Sequence, residues 1–129
     1  MDAVAAARAW AEAWELGWRT HDVERISARY ADAAVFRSHP FREPEEPRAY
    51  VTRVFAEEEG EPEVWFGEPL TKGDGASVEY WAIVRSDGKE HTIAGHAKLR
   101  FDSGGLVTDE LEYWAMDEGR RLPPRGWGA

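Results

Sequence analysis

The sequence contains no cysteine. Disulfide staples and thiolate metal sites are therefore excluded, and the fold has to be held by packing alone. Positive charge is also scarce: 16 Lys and Arg stand against 25 Asp and Glu, for a net charge of −9. An acidic chain is a poor match for polyanions, so neither nucleic acid nor an anionic membrane surface is an expected partner. No apolar run approaches the roughly 20 residues that a membrane span requires. The start of the chain, Met1 to Trp10, lacks the basic residues and long apolar stretch of a signal peptide. A cytoplasmic protein is the expectation. The four histidines, His21, His39, His91 and His96, are scattered without metal-ligand spacing, so no metal site and no cofactor is expected.

What the chain has in excess is tryptophan, seven residues in 129. Each brings a large apolar body and an N–H that needs an acceptor when buried. So many in a short chain imply a heavily aromatic core, a lined pocket, or both. The length and the 43% hydrophobic content suit one domain over residues 1–129 with one real core.

Hydrophobic spacing divides the chain into elements. Asp2 to Arg19 reads as a helix whose inner face carries Val4, Ala7, Ala11, Trp14 and Trp18, with Trp10 beside them and Gly17 weakening the last turn. Asp22 is the expected N-cap of a short second helix, Val23 to Tyr30. His21 is expected to be a solvated loop residue. Ala33 to Ser38 is a short strand that leads into His39-Pro40, where proline forces extended geometry on His39. A third helix is expected over about Glu46 to Glu58, followed by a solvated acidic run from Glu57 to Glu61. Four strands follow: Glu63 to Leu70, Ala76 to Arg85, and two that form a closing hairpin between His91 and Met116. The Pro/Gly-rich tail from Arg120 to Ala129 carries one large apolar residue, Trp127, expected to dock on the body of the protein. Helices followed by meandering strands indicate an α+β fold.

The closing hairpin draws together the chemistry. Asp102-Ser103-Gly104-Gly105 is a Gly-rich turn between two strand-like runs. With the turn centred near Ser103, His96 falls opposite Glu110, and Glu112 and Trp114 follow on the same face. A histidine, two carboxylates and an indole then share one patch of sheet. The competing expectation is a solvated face made of Thr92, His96, Lys98 and Arg100. Glu79 lies within the apolar strand Val78 to Val84, so it needs a partner, for which Arg85 and Lys98 are candidates, or faces a pocket.

Taken in order, the Trp-rich first helix, the D-A-A-V-F-R-S-H-P-F strand and loop, the V-E-Y-W strand and the G-H-A-K-L-R-F-D-S-G-G-L-V-T-D-E-L-E-Y-W hairpin resemble the nuclear transport factor 2-like superfamily, and within it the SnoaL-like (polyketide cyclase-like) group. The resemblance implies a cone-shaped half-barrel, a curved antiparallel or mixed β-sheet wrapped around three N-terminal helices, with a pocket between sheet and helices. It also implies homodimerisation through the outer sheet face. Similarity to polyketide cyclases implies acid/base roles for His96 with Glu110 or Glu112, and similarity to epoxide hydrolases points to a carboxylate near Glu112. The Arg and Asp that complete the water-activating set of those hydrolases are replaced here by Glu79 and Trp81. Similarity to ketosteroid isomerases leaves only His39 near the position of their base.

The functional expectation is a pocket for a small hydrophobic or aromatic molecule. Trp14, Phe36, Ser38, Glu79, Trp81 and Trp114 are the expected ligand contacts, with His96, Glu110, Glu112 and His39 as the candidate catalytic residues. The reaction would be a cofactor-independent isomerisation, cyclisation or dehydration. The alternative is a non-catalytic ligand-binding or dimeric interaction domain built on the same cavity.

Overall fold

A computed structural model describes residues 1–129. Three helices, α1 (Ala3–Thr20), α2 (Val23–Ser27) and α3 (Pro47–Glu57), cover one face of a six-stranded sheet. The strands are β1 (Tyr30–Arg37), β2 (Glu63–Phe66), β3 (Leu70–Lys72), β4 (Gly75–Ser86), β5 (Lys89–Phe101) and β6 (Val107–Glu118). The sheet order is β1-β6-β5-β4-β2, with β3 pairing with β4. All ladders are antiparallel except β1 with β6, so the sheet is mixed and unclosed. The α+β cone expected from the sequence is the observed architecture. No helix is long and apolar enough to cross a membrane.

Local chemistry accounts for the helix boundaries. The Asp2 carboxylate accepts from the Val4 and Ala5 N–H groups, capping α1, and Asp22 accepts from Arg25 N–H to cap α2. Glu46 caps α3 through Ala49 N–H, and Pro47 occupies the first helical turn, where its missing N–H costs nothing. Trp10, Trp14 and Trp18 recur every four residues on α1 and form a ladder of rings, 6.2 and 5.9 Å between centroids. Phe66 of β2 and Tyr80 of β4 pack against its two ends. Val4, expected on this face, is exposed.

Two expectations about boundaries change. The second helix stops at Ser27 rather than Tyr30, because Tyr30 opens β1, pairs with Val107 and sends its side chain into the core. The stretch expected as one strand from Glu63 to Leu70 breaks into β2 and β3, so five strands rather than four follow α3.

Close approaches explain two glycines. A Cβ on Gly17 would lie 2.6 Å from Ile26 Cγ1, so this glycine lets α2 fold tightly against the end of α1. A Cβ on Gly95 would lie 2.6 Å from Trp114 Cβ on the neighbouring strand. The tail docks on the outer side of the sheet, away from the helices. There Trp81 Nε1 donates to Arg121 O at 2.7 Å, Trp127 meets the Trp81 ring edge-on, Arg120 pairs with Glu63, and Glu68 N–H donates to Gly128 O.

The Gly95 contact is a specific test of the hairpin. Gly95→Ala should destabilise the protein by about 1–3 kcal/mol, as overpacking does in close-packed interiors, read from urea unfolding. The Trp114 fluorescence should shift at the same time, because the indole has to move.

Candidate functional site

The register of the last hairpin decides what faces inward. His96 pairs with Tyr113, and Glu110 pairs with Leu99. The pairing is displaced by three residues from the one expected around Ser103, because the turn runs on to Leu106 and the ladder carries an irregularity at Phe101. An odd displacement exchanges the two faces relative to each other. His96 and Glu110 therefore lie on opposite sides of the sheet. His96 is outside, stacked on Tyr113 at 5.2 Å and bonded through Nδ1 to Ser77 Oγ at 3.0 Å. Glu79, directly across from it on β4, is exposed on the same outer face, and Trp81 lies outside under the tail.

The inner face of β6 carries Glu110, Glu112, Trp114 and Met116 at alternate positions. They meet a cavity of about 320 Å³ between the sheet and the helices, whose wall includes Trp14, Trp18, Tyr50, Phe66, Tyr80, Glu112 and Trp114. Thirteen of its 19 lining residues are hydrophobic, so a carboxylate that opens onto it sits in a largely apolar setting.

Glu110 lies next to this cavity, buried in the wall. Tyr30 Oη donates to its Oε1 at 2.6 Å, and the Trp10 and Trp14 indoles donate in turn to Tyr30 Oη at 3.1 and 2.9 Å. Glu110 Oε2 makes no hydrogen bond. Burial first, and then the neighbouring Glu112 carboxyl, push the acid well above the ordinary carboxylate range. Burial thus favours the neutral acid form of Glu110 over its carboxylate. Glu112 is also buried, opens onto the cavity, and accepts from Tyr80 Oη at 2.7 Å. Burial and the adjacent Glu112 charge raise the Tyr80 phenol well above its usual value, which keeps that donor in its neutral form.

One rim of the cavity is built by the loop after β1. Ser38 is buried; its carbonyl accepts from Trp114 Nε1 at 2.6 Å and its hydroxyl accepts from Arg42 Nη1 at 3.1 Å. The Arg42 guanidinium lies over the Trp114 ring at 5.3 Å, and His39 meets the same ring edge-on at 5.0 Å. Arg42 lines the cavity. Ser38 and His39 support its rim from behind, and Phe36 is fully buried in the core against Tyr30 and Tyr50.

Of the ten residues singled out from sequence, the structure gathers Glu110, Glu112, Trp14, Trp114, Ser38 and His39 around one cavity, with Phe36 beneath it. It puts His96, Glu79 and Trp81 on the other side of the sheet. Residues passed over also reach the cavity: Arg42, Tyr50, His91 and Glu58. Glu58 was assigned to a solvated acidic run, yet it follows Val51, Val54 and Phe55 at helical spacing, the signal that places it on the inner face of α3. His21, expected in solvent, stacks on Phe55 at 4.6 Å and bonds to Glu58. No group of three or more His, Asp or Glu side chains is arranged to hold a metal ion.

The raised pKa of Glu110 has a defined effect on stability. A group that holds its proton more tightly folded than unfolded stabilises the protein at pH values below its unfolded value. That contribution falls as pH rises toward the folded value. Stability should therefore decline as pH rises above the ordinary glutamate range in the wild-type protein. Glu110→Gln, which copies the neutral acid, should flatten that decline in melting temperature measured against pH.

No match is found among curated protein sequences. Residues 7–110 match the SnoaL-like domain family. In shape, the chain is similar to RV0760c from Mycobacterium tuberculosis, at 18% identity and TM-score 0.75 over 92% of this chain and 99% of that one. It is also similar to SalBIII, described as an epoxide hydrolase/cyclase-like enzyme in pyran ring formation, at 13% identity and TM-score 0.75 over 89% and 96% of the two chains. A third neighbour is a hypothetical protein with a ketosteroid isomerase-like fold from Catenulispora acidiphila, in complex with trimethylamine, at 17% identity and TM-score 0.70 over 82% and 85%. A family match that spans most of the chain, on a cone of this topology, makes the protein a member of the SnoaL-like domain family with the nuclear transport factor 2-like fold.

Proposed function

We propose that the cavity is the active site of a cofactor-independent enzyme that moves a proton on a small hydrophobic molecule, with Glu112 as the base. The observation that carries this reading is the pairing of two carboxyl groups on the inner face of β6. Glu110 lies buried in the wall, where burial favours its neutral form, while Glu112 opens onto an apolar cavity with Tyr80 as its donor. The two carboxyl groups thus stand in unlike surroundings, one closed off and one open to a bound molecule. Glu112 takes the proton from a carbon next to a carbonyl. The Arg42 guanidinium, fixed by Ser38 and Trp114, stands at the rim to balance the charge that develops on the substrate oxygen. The aromatic rings of α1, with Phe66 and Tyr80, hold the apolar body of the substrate and exclude water. Isomerisation, cyclisation and dehydration all begin with this step. The epoxide hydrolase/cyclase-like neighbour is consistent with such chemistry on the same fold.

A second reading is a binding protein without turnover. It is favoured by the trimethylamine complex of the similar ketosteroid isomerase-like protein. Indole and phenol rings beside Glu58 and Glu112 would suit an alkylammonium ion.

A chromogenic carbon acid separates the two. In 5-nitrobenzisoxazole, loss of the ring C–H proton to a base opens the ring to a coloured phenolate. The wild-type protein should accelerate this reaction above buffer, and Glu112→Gln should lower kcat by about 100-fold or more, the scale of general-base catalysis. Equal rates in the two proteins, together with saturable calorimetric binding of trimethylamine, would establish the binding reading instead.

A further inference from the structure

The cavity has a second carboxylate on the wall opposite the sheet. Glu58 caps the C-terminal end of α3 and lines the cavity. Both of its oxygens accept from Trp18 Nε1, at 3.1 and 2.9 Å, and its Oε1 lies 3.0 Å from His21 Nε2. The exposures divide the pair: the Glu58 side chain is 7% exposed and the His21 ring 28% exposed. The glutamate thus faces the cavity while the imidazole reaches solvent. His21 holds this position through the left-handed conformation that ends α1, with φ 53°, and through its stack on Phe55. Glu58 satisfies the Trp18 N–H, but a neutral acceptor would cost less to bury in an apolar site than a carboxylate. A buried carboxylate at a helix C-terminus meets the negative end of the helix dipole and gives up hydration, and burial raises its pKa despite Trp18 and His21.

We propose that Glu58 is the second catalytic carboxyl group of this cavity, acting as a general acid, and that His21 passes protons to it from solvent. This rests on the reading of Glu112 as the base. In the forward step the C–H electron pair of the substrate moves into the new π bond as Glu112 takes the proton. Glu58 gives its proton to the substrate oxygen that receives the displaced electron pair. A hydroxyl then leaves as water, or a carbonyl oxygen becomes an enol. Glu58 is left as a carboxylate and regains a proton through His21, and Glu112 returns its proton to product or solvent. The substrate is therefore one with an acidic C–H and an oxygen acceptor set far enough apart to touch both walls. The other titratable or charged side chains lining the cavity are Arg42, Tyr50, Glu57, Tyr80, His91 and Glu112. None of these is hydrogen-bonded to Glu58.

The test uses benzisoxazole without the nitro group, whose ring N–O bond breaks as the C–H proton leaves and whose departing phenolate is basic enough for an acid to assist. Glu58→Gln keeps an oxygen to accept from Trp18 and removes only the proton. It should lower kcat by about 10- to 100-fold with little change in KM. His21→Asn keeps a residue that tolerates the left-handed conformation, and should change the pH profile of kcat more than its maximum. Carboxyl-carbon NMR of Glu58 gives a readout independent of turnover: loss of His21 should move its titration midpoint upward, because His21 holds it down. Wild-type turnover in Glu58→Gln, with Glu112→Gln inactive, would overturn the assignment of Glu58 and leave that of Glu112 standing. Turnover unaffected by Glu112→Gln would overturn both. An unmoved Glu58 midpoint in His21→Asn would overturn the relay.

Discussion

A carboxyl group on the inner face of a sheet is tolerable only if it is neutral, paired or wet. Two of them, two residues apart on β6, set the constraint around which the rest of this fold is arranged. Glu110 is accommodated by burial that favours its neutral form and by a chain of donors, Trp10 and Trp14 to Tyr30 and Tyr30 to Glu110, that ties α1, β1 and β6 together. Glu112 is resolved by one donor, Tyr80, and by opening onto the cavity. The same hydrogen bonds that offset the cost of burial also fix where the two carboxyl groups sit. Structure and chemistry are here one set of contacts.

The tryptophans follow from that constraint. Trp10 and Trp14 give their N–H groups to Tyr30, Trp18 to Glu58, and Trp114 to the Ser38 carbonyl. Each indole thus supplies an apolar wall and one polar tie to an acceptor that would otherwise be buried or misplaced. Core and pocket are made by the same residues, which is why the tryptophan content alone did not separate them.

Membership of the SnoaL-like family leaves the reaction open, because one fold hosts many chemistries and function belongs to the site. This cavity carries acid on both of its walls, Glu112 from the sheet and Glu58 from the helices, with the Arg42 guanidinium at the rim. An acidic, tryptophan-lined cavity of this kind selects substrates by apolar fit and by the positions of a few polar atoms.

The elements and their order were legible in the sequence because they depend on local chemistry. Caps at Asp2 and Asp22, Pro47 in a first turn and the spacing of the α1 tryptophans act over a few residues. The family resemblance was legible for the same reason, as an ordered string of such signals. The facing of the hairpin was not, because it depends on the length of one turn. A loop running to Leu106 displaces the pairing by an odd number, sends His96 outside and leaves Glu110 within. Tyr30, at the end of an apparent helix, and Glu58, in an apparent acidic exit, likewise took their roles from partners far along the chain, Glu110 and Trp18. Periodicity determined an α+β order of helices and strands with acids on the last strand, and the family resemblance implied the cone. Only tertiary packing decided which acids met the cavity and which were buried away from it, because burial and strand register are properties of the assembled sheet rather than of any one segment.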